Sequence, residues 1–270
     1  MIRLDPNPPP EDADSIREEE LTRIRRDFIA RGSLPTSDDF GTLYNGRGEH
    51  KPWRSRLRQR QHNKCAFCES KEQERFRTIE HIRPKAAARR RDGTTAPGYW
   101  WLAWTWENLV FCCSGCNSDK NNSYPLARGG RPLIPEEQPP GDERPLLVNP
   151  RTESAIDSIQ FKQISGASPF SWRPYPRDND PRGYWTIRVY GLARDELLDS
   201  YGWWVRDVLH DELEALRHGD SDALRSRWDR LIRRFLICPD QPFRGLTYDV
   251  LDQTFPARLR QRRGLHLPKP

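Results

Sequence analysis

An α+β fold is expected from the sequence, with a small metal-stapled core flanked by helical additions. Three observations point there. Hydrophobic residues recur at helical spacing near both ends of the chain, two Cys-x-x-Cys pairs bracket the middle, and the β-prone segments are short and interrupted by proline and glycine. The expected organisation is an N-terminal helical segment over residues 1–64, a core over 65–125, and an α+β, largely helical extension over 126–270.

Residues 1–10 are proline-rich and expected to be loose. From Asp14 to Ala30, an acidic start followed by "ELTRIRRDFIA" predicts a helix with Leu21, Ile24 and Phe28 on one face. A second helix is expected from Pro52, because proline suits the first helical position and Trp53 and Leu57 fall one turn apart in "WRSRLRQRQ". Past the core, the Pro/Gly-rich stretches 128–145 and 165–183 read as loops, and "PLLVNPRTESAIDSIQF" between them as one or two short strands. "YWTIRVY" at 184–190 reads as a strand by its aromatic and β-branched content. A helical pair follows: Val205, Val208, Leu209, Leu213 and Leu216, then, after the turn "HGDSD", Leu224, Trp228, Leu231, Ile232, Phe235 and Leu236. The tail "GLHLPKP" is expected to be loose.

The 270 residues suffice for a real hydrophobic interior. Mean hydropathy is low at −0.93, yet ten Trp, ten Phe and eight Tyr argue against disorder. The formal charge is +6, and only seven of the 45 basic residues are Lys. Arginine forks bind phosphate oxygens bidentately, so this excess suits a polyanionic partner, while arginine-rich codon usage explains it equally well. "MIRLDPNPPPEDADSIREEE" lacks the apolar stretch of a secretory signal, and no run is long enough to span a membrane. A cytoplasmic protein with no membrane association is expected. In that compartment paired cysteines signal metal more often than disulfide.

"CAFC" supplies Cys65 and Cys68, and "CSGC" supplies Cys113 and Cys116. Each knuckle offers two thiolates, and together they fill the four positions of a structural Zn²⁺, leaving none open for catalysis. His62 is a competing ligand. Cys112, next to Cys113 on an expected strand, should point the opposite way into the core, and Cys238 reads as an ordinary buried cysteine.

Closing the chain between these knuckles gathers polar residues that are scattered in sequence: Glu80 and His81 in "RTIEHIRPKA", Asn108, and Asn117 just after the last cysteine. Pro84 stops regular continuation of the strand, so its end can twist and bring Glu80 and His81 toward one site. An imidazole titrates near neutrality and can deprotonate water. A carboxylate and an amide oxygen suit a hydrated Mg²⁺ or Mn²⁺. Together they match metal-assisted phosphodiester hydrolysis, with Asn108 bonding backbone groups to hold the loop that aims the histidine.

"CAFC … IEHIRPK … WENL … CSGCNSDK" resembles the HNH endonuclease family with its zinc-knuckled ββα-metal core. The resemblance implies that His81 is the general base, that Glu80 and Asn117 bind the catalytic divalent ion, and that Asn108 is structural. Glu80 stands where aspartate is common, and Asn117 where many members have histidine. Lys120, Lys85 and Arg83 are candidates for contact with nucleic acid. "IEHIRPKA", "YWWLAWTWENLVFCCSGCN", "PLLVNPR" and "TIRVYGLARDELL" are further similar to the PtuB-type HNH nucleases of bacterial Septu anti-phage systems, some of which accompany retrons. That similarity implies a DNA substrate and an SMC/ABC-type ATPase partner of the PtuA kind.

Blander explanations exist for several of these features. Asn117 could simply cap a helix beginning near Ser114, and the tryptophans at 100, 101, 104 and 106 are more often core than base-stacking platforms. The basic runs at 54–60 and 88–93 are either solvated faces or contacts to a nucleic-acid backbone. Two other functions remain in view: a non-catalytic zinc-knuckle adaptor, and a ribonuclease using the same chemistry.

Overall fold

The computed structural model describes residues 3–4, 8–40, 53–71, 77–217 and 221–270. Near the N-terminus, α1 (Ala13–Asp27) buries Ala13, Ile16, Leu21 and Ile24; of the expected face Leu21 and Ile24 are in it, while Phe28 lies just past the helix end and is half-buried. In α2 (Trp53–Arg60), Trp53 and Leu57 are buried, and Trp53 meets Trp106 edge-on at 5.9 Å. The expected start at Pro52 falls outside the described residues.

The middle of the chain forms β1 (Arg77–His81), β2 (Ala87–Arg89), β3 (Thr95–Pro97), β4 (Leu109–Cys113) and α3 (Ser114–Lys120). β1 pairs antiparallel with β4, placing Glu80 opposite Val110 and His81 opposite Leu109 at the strand's last rung. β2 and β3 form a small hairpin within the long connection. Two elements brace β4 from outside. The Gln61 side chain accepts from the Phe111 amide at 2.8 Å and donates to its carbonyl at 2.7 Å, copying a strand partner. α3 follows β4 directly, with Cys113 as its cap, so Asn117 sits inside the helix and does not cap it. Trp100, Trp101, Trp104 and Trp106 are all buried, so they pack the core and are not exposed for stacking.

The C-terminal part departs from expectation in four places. The stretch 165–183 is not one loop: it contains β6 (Trp172–Pro176), which pairs antiparallel with β5 (Ile159–Gln163). "YWTIRVY" is not a strand but most of α4 (Pro181–Val189). Asp180 caps that helix through the Arg182 amide at 2.8 Å, Pro181 presets its first turn, and Gly183, Thr186 and Val189 face inward at a three-residue interval. These local signals outweigh β propensity, which reflects packing more than backbone preference. Cys238 is only half-buried. The tail is held, since the His266 carbonyl accepts from the Trp228 indole at 2.7 Å and Leu265 is buried.

After α5 (Asp195–Trp203), the expected helical pair is present: its first member is the π-helical stretch Trp204–Leu209 running into α6 (His210–Arg217), and its second is α7 (Ser221–Leu231) running into the π-helical stretch Ile232–Ile237. The turn at "HGDSD" lies mostly outside the described residues. α8 (Arg244–Thr254) and α9 (Ala257–Arg263) complete the chain. α8 clamps β5: the Phe161 amide donates to Asp249 at 2.7 Å and Gln253 donates to the Phe161 carbonyl at 2.6 Å.

Candidate active site and metal centre

The sulfurs of Cys65, Cys68, Cys113 and Cys116 all lie within 4.8 Å of one another, and all four residues are buried. Four thiolates on a tetrahedral zinc at the usual bond length would be about 3.8 Å apart. Cys68 and Cys113 are at 3.7 Å. The cluster can therefore hold a tetrahedral ion such as zinc. Two backbone amides already point at these sulfurs, Phe67 at Cys65 and Cys116 at Cys113, both at 3.4 Å, which favours the thiolate form. His62 is not part of the cluster; its Nδ1 lies 3.1 Å from Asp240. Cys112 points away from it toward Thr78, and burial pushes its thiol well up, so it stays neutral.

Beside this centre opens a cleft of about 580 Å³, whose walls include Glu80, His81, Asn117, Lys85, Ser37 and Asn121. The strand end thus brings the acid and the imidazole to one space, and the first turns of α3 bring the amide. Asn108 is not in this cleft. It sits behind, where its side chain accepts from the Arg83 amide at 2.8 Å and donates to the Arg83 and Leu102 carbonyls, each at 3.0 Å. Its own carbonyl accepts from Ile82 at 2.8 Å. These bonds lock the two residues following His81 against the start of β4.

His81 is buried, and one ring nitrogen is fixed: Nε2 lies 2.9 Å from the Ala103 carbonyl. A carbonyl can only accept, so Nε2 carries the proton in the neutral ring and Nδ1 holds the basic lone pair. Burial, then the Lys85 charge, push the imidazole down to about 3 against the pull of the Ala103 bond. At neutral pH this histidine is unprotonated.

Glu80 is also buried, and Lys120 donates to its Oε1 at 2.5 Å. Burial raises the Glu80 carboxyl, and Lys120 opposes that rise. The three basic residues expected at nucleic acid have different fates. Lys120 is fully buried in the pair with Glu80. Arg83 is buried against Glu143 at 2.6 Å. Lys85 lines the cleft with its ammonium 5.0 Å from the Phe40 ring, and burial lowers its pKa.

Several participants have no signature in the sequence. The Ala103 carbonyl that sets the His81 tautomer is a backbone atom. Glu143 and Arg194, which bonds the knuckle sulfurs at 3.5 and 3.6 Å, lie far along the chain at no diagnostic spacing. Ser37 reaches the cleft from the N-terminal segment.

Among the described residues no helix is long and apolar enough to cross a membrane. No family model matches the chain. The sequence is 33% identical over 158 residues to Septu protein PtuB of Bacillus mycoides (strain KBAB4), a match covering 57% of this chain and 50% of that protein. The chain thus spans about half the length of the curated relative it matches. Across the matched stretch, that identity supports a PtuB-like relationship.

Proposed function

We propose that this chain is a metal-dependent HNH-type endonuclease that hydrolyses DNA phosphodiester bonds. We further propose that it serves as the nuclease effector of an anti-phage defence system together with an SMC/ABC-type ATPase. The observation that supports it most is the convergence of Glu80, His81 and Asn117 on one polar cleft, with the His81 tautomer set by Ala103.

Water held near Nδ1 of His81 gives up its proton as its oxygen attacks phosphorus. The phosphorus–O3′ bond breaks, and the departing oxygen takes a proton from cleft water, leaving 5′-phosphate and 3′-hydroxyl ends. Burial and Lys85 keep the imidazole unprotonated at physiological pH, and because a pKa of about 3 makes it a weak base, the water would have to be acidified by a bound divalent ion for its proton to pass to the ring. Asn108 fixes the backbone after His81 and so limits the ring's wander, acting as a positioning residue. Lys85 faces the incoming phosphate as a half-buried cation.

The donor chemistry of the cleft fits a hard divalent ion. The second Glu80 oxygen and the Asn117 amide oxygen offer two protein ligands, and the cleft has room for the waters that Mg²⁺ or Mn²⁺ retains. Bound there, such an ion would supply charge neutralisation for the phosphoryl oxygens and the leaving group. The PtuB likeness supports the defence role and the partner.

The test is plasmid nicking and total-RNA digestion side by side, with Mg²⁺ or Mn²⁺, alone and with any ATPase of the proposed SMC/ABC type encoded beside it. DNA nicking that His81→Ala abolishes while the protein stays folded is expected. Absence of cleavage in every combination would favour the adaptor, and cleavage of RNA alone would reassign the substrate.

A further inference from the structure

The turn joining α4 to α5 packs directly on the cysteine centre, and its most intrusive residue is Arg194. One guanidinium nitrogen lies 3.5 Å from the Cys116 sulfur, and the other terminal nitrogen lies 3.6 Å from the Cys113 sulfur. The fork is held from behind, since Nη1 also donates to the carbonyls of Tyr190 at 3.2 Å and Gly191 at 3.1 Å. Asp119, on α3, stands 3.7 Å away and keeps the group oriented.

Two glycines make room for this approach. A Cβ on Gly115, the third residue of "CSGC", would lie 2.8 Å from the Arg194 guanidinium. A Cβ on Gly191 would lie 1.9 Å from an Asp119 carboxylate oxygen, and Gly191 adopts a φ of +56° that disfavours other residues. The other knuckle is gripped as well: Phe67, inside "CAFC", stacks on Tyr190 with ring centroids 3.8 Å apart and planes inclined by 16°. Residues 190–194 therefore touch both knuckles, one through a ring and the other through charge.

Four thiolates around a divalent ion leave two negative charges uncompensated. Such charge is stabilised by donors aimed at sulfur, and outer partners of this kind tune both metal retention and thiolate donor strength. We propose that Arg194 is the charge-compensating outer partner of the cysteine metal centre, so that retention of the metal and docking of the C-terminal extension depend on each other. The guanidinium gains most when the sulfurs are ionised on metal. The metal is held more tightly when the guanidinium is in place. This holds whether or not the neighbouring cleft cuts DNA.

The experiment uses the full chain, zinc-loaded, with Arg194→Met and Arg194→Lys as variants. Methionine keeps the stem and removes charge and fork; lysine keeps charge and loses the fork. Zinc transfer to a chromogenic chelator should be on the order of tenfold faster in Arg194→Met, with Arg194→Lys in between. In the cobalt-loaded proteins, the sulfur-to-cobalt charge-transfer band should move to longer wavelength in Arg194→Met, because thiolates that have lost their donors give up electrons more easily. Stripping zinc from the unmodified chain should accelerate proteolysis within residues 181–203. A role confined to packing would leave the band where it is. An unshifted band, or unchanged release from a folded Arg194→Met protein, overturns the proposal, as would a chain that takes up neither zinc nor cobalt.

Discussion

Removing the Arg83 side chain separates two accounts of that residue, one at the substrate and one in the interior. Arg83 Nε donates to Glu143 at 2.6 Å, and the two side chains are 8% and 0% exposed. Beyond Arg83, the partners of Glu143 are two neutral hydroxyls, those of Tyr124 at 3.4 Å and of Tyr99. Arg83→Ala therefore strands a buried carboxylate, a change that typically costs about 3–5 kcal/mol. For a chain of this size that corresponds to a fall in melting temperature on the order of 10 °C. The loss should persist in molar salt, because a buried pair is screened little. Replacing both partners, Arg83→Met with Glu143→Leu, should recover most of the stability, since an apolar pair of similar volume removes the desolvation problem. Thermal unfolding of the parent, Arg83→Met, Glu143→Leu and the double variant closes the cycle and measures the coupling directly. If Arg83→Ala melted like the parent protein but bound DNA more weakly, with a shallower salt dependence, the guanidinium would have to face phosphate and the buried-pair account would fail.

Asn108→Ala removes three side-chain bonds to backbone at 2.8, 3.0 and 3.0 Å, so it should cost roughly 1–3 kcal/mol in urea unfolding and slow nicking more than it weakens DNA binding. The His81 imidazole is pushed down to about 3, so as pH falls below its ordinary value the unfolded chain takes up a proton that the folded chain refuses. Stability is then lost between about pH 6.5 and 3, by up to about 1.4 kcal/mol per pH unit, and His81→Gln should flatten that part of the urea-midpoint profile relative to the parent. Nicking, for the same reason, should not fall between pH 7.5 and 6 through protonation of this histidine. Gly191→Ala should cost about 1 kcal/mol through its left-handed backbone, because the Asp119 carboxylate in its way is the end of a mobile side chain. Calorimetry reads that loss, and Gly191→Asn, which tolerates the conformation better, should lose less.

How far the sequence foretells the molecule depends on the range of each interaction. The cysteine pairs were legible because two ligands within one tight turn are a local pattern, and the same holds for the stripe Leu21, Ile24 in α1 and for the pair α6 and α7. Glu80, His81 and Asn117 were legible once the knuckles were assumed to meet, because closing that loop dictates who their neighbours are. "YWTIRVY" misled because its composition is β-prone while the decisive signal, Asp180 and Pro181, stands outside the segment. Lys120 and Lys85 could not be told apart by sequence. Which lysine is buried against Glu80 and which lines the cleft depends on the face of α3 and on where Phe40 arrives from the N-terminal segment.

That division of labour between the two lysines bears on how a divalent ion would enter. The Glu80 charge is already answered by Lys120 inside the protein, before any ion arrives. Lys85 adds a second positive charge to the cleft, tempered by Glu80 and Asp38, and the imidazole adds no charge. The bare cleft is thus poorly suited to attracting a cation from solution and better suited to a polyanion. A phosphate entering beside Lys85 would reverse that balance by bringing negative charge next to the Glu80 and Asn117 oxygens. If the proposed ion and a nucleic-acid phosphate both bind here, each would strengthen the other's binding on these electrostatics, so that under the proposed function the ion would be held weakly until substrate arrives.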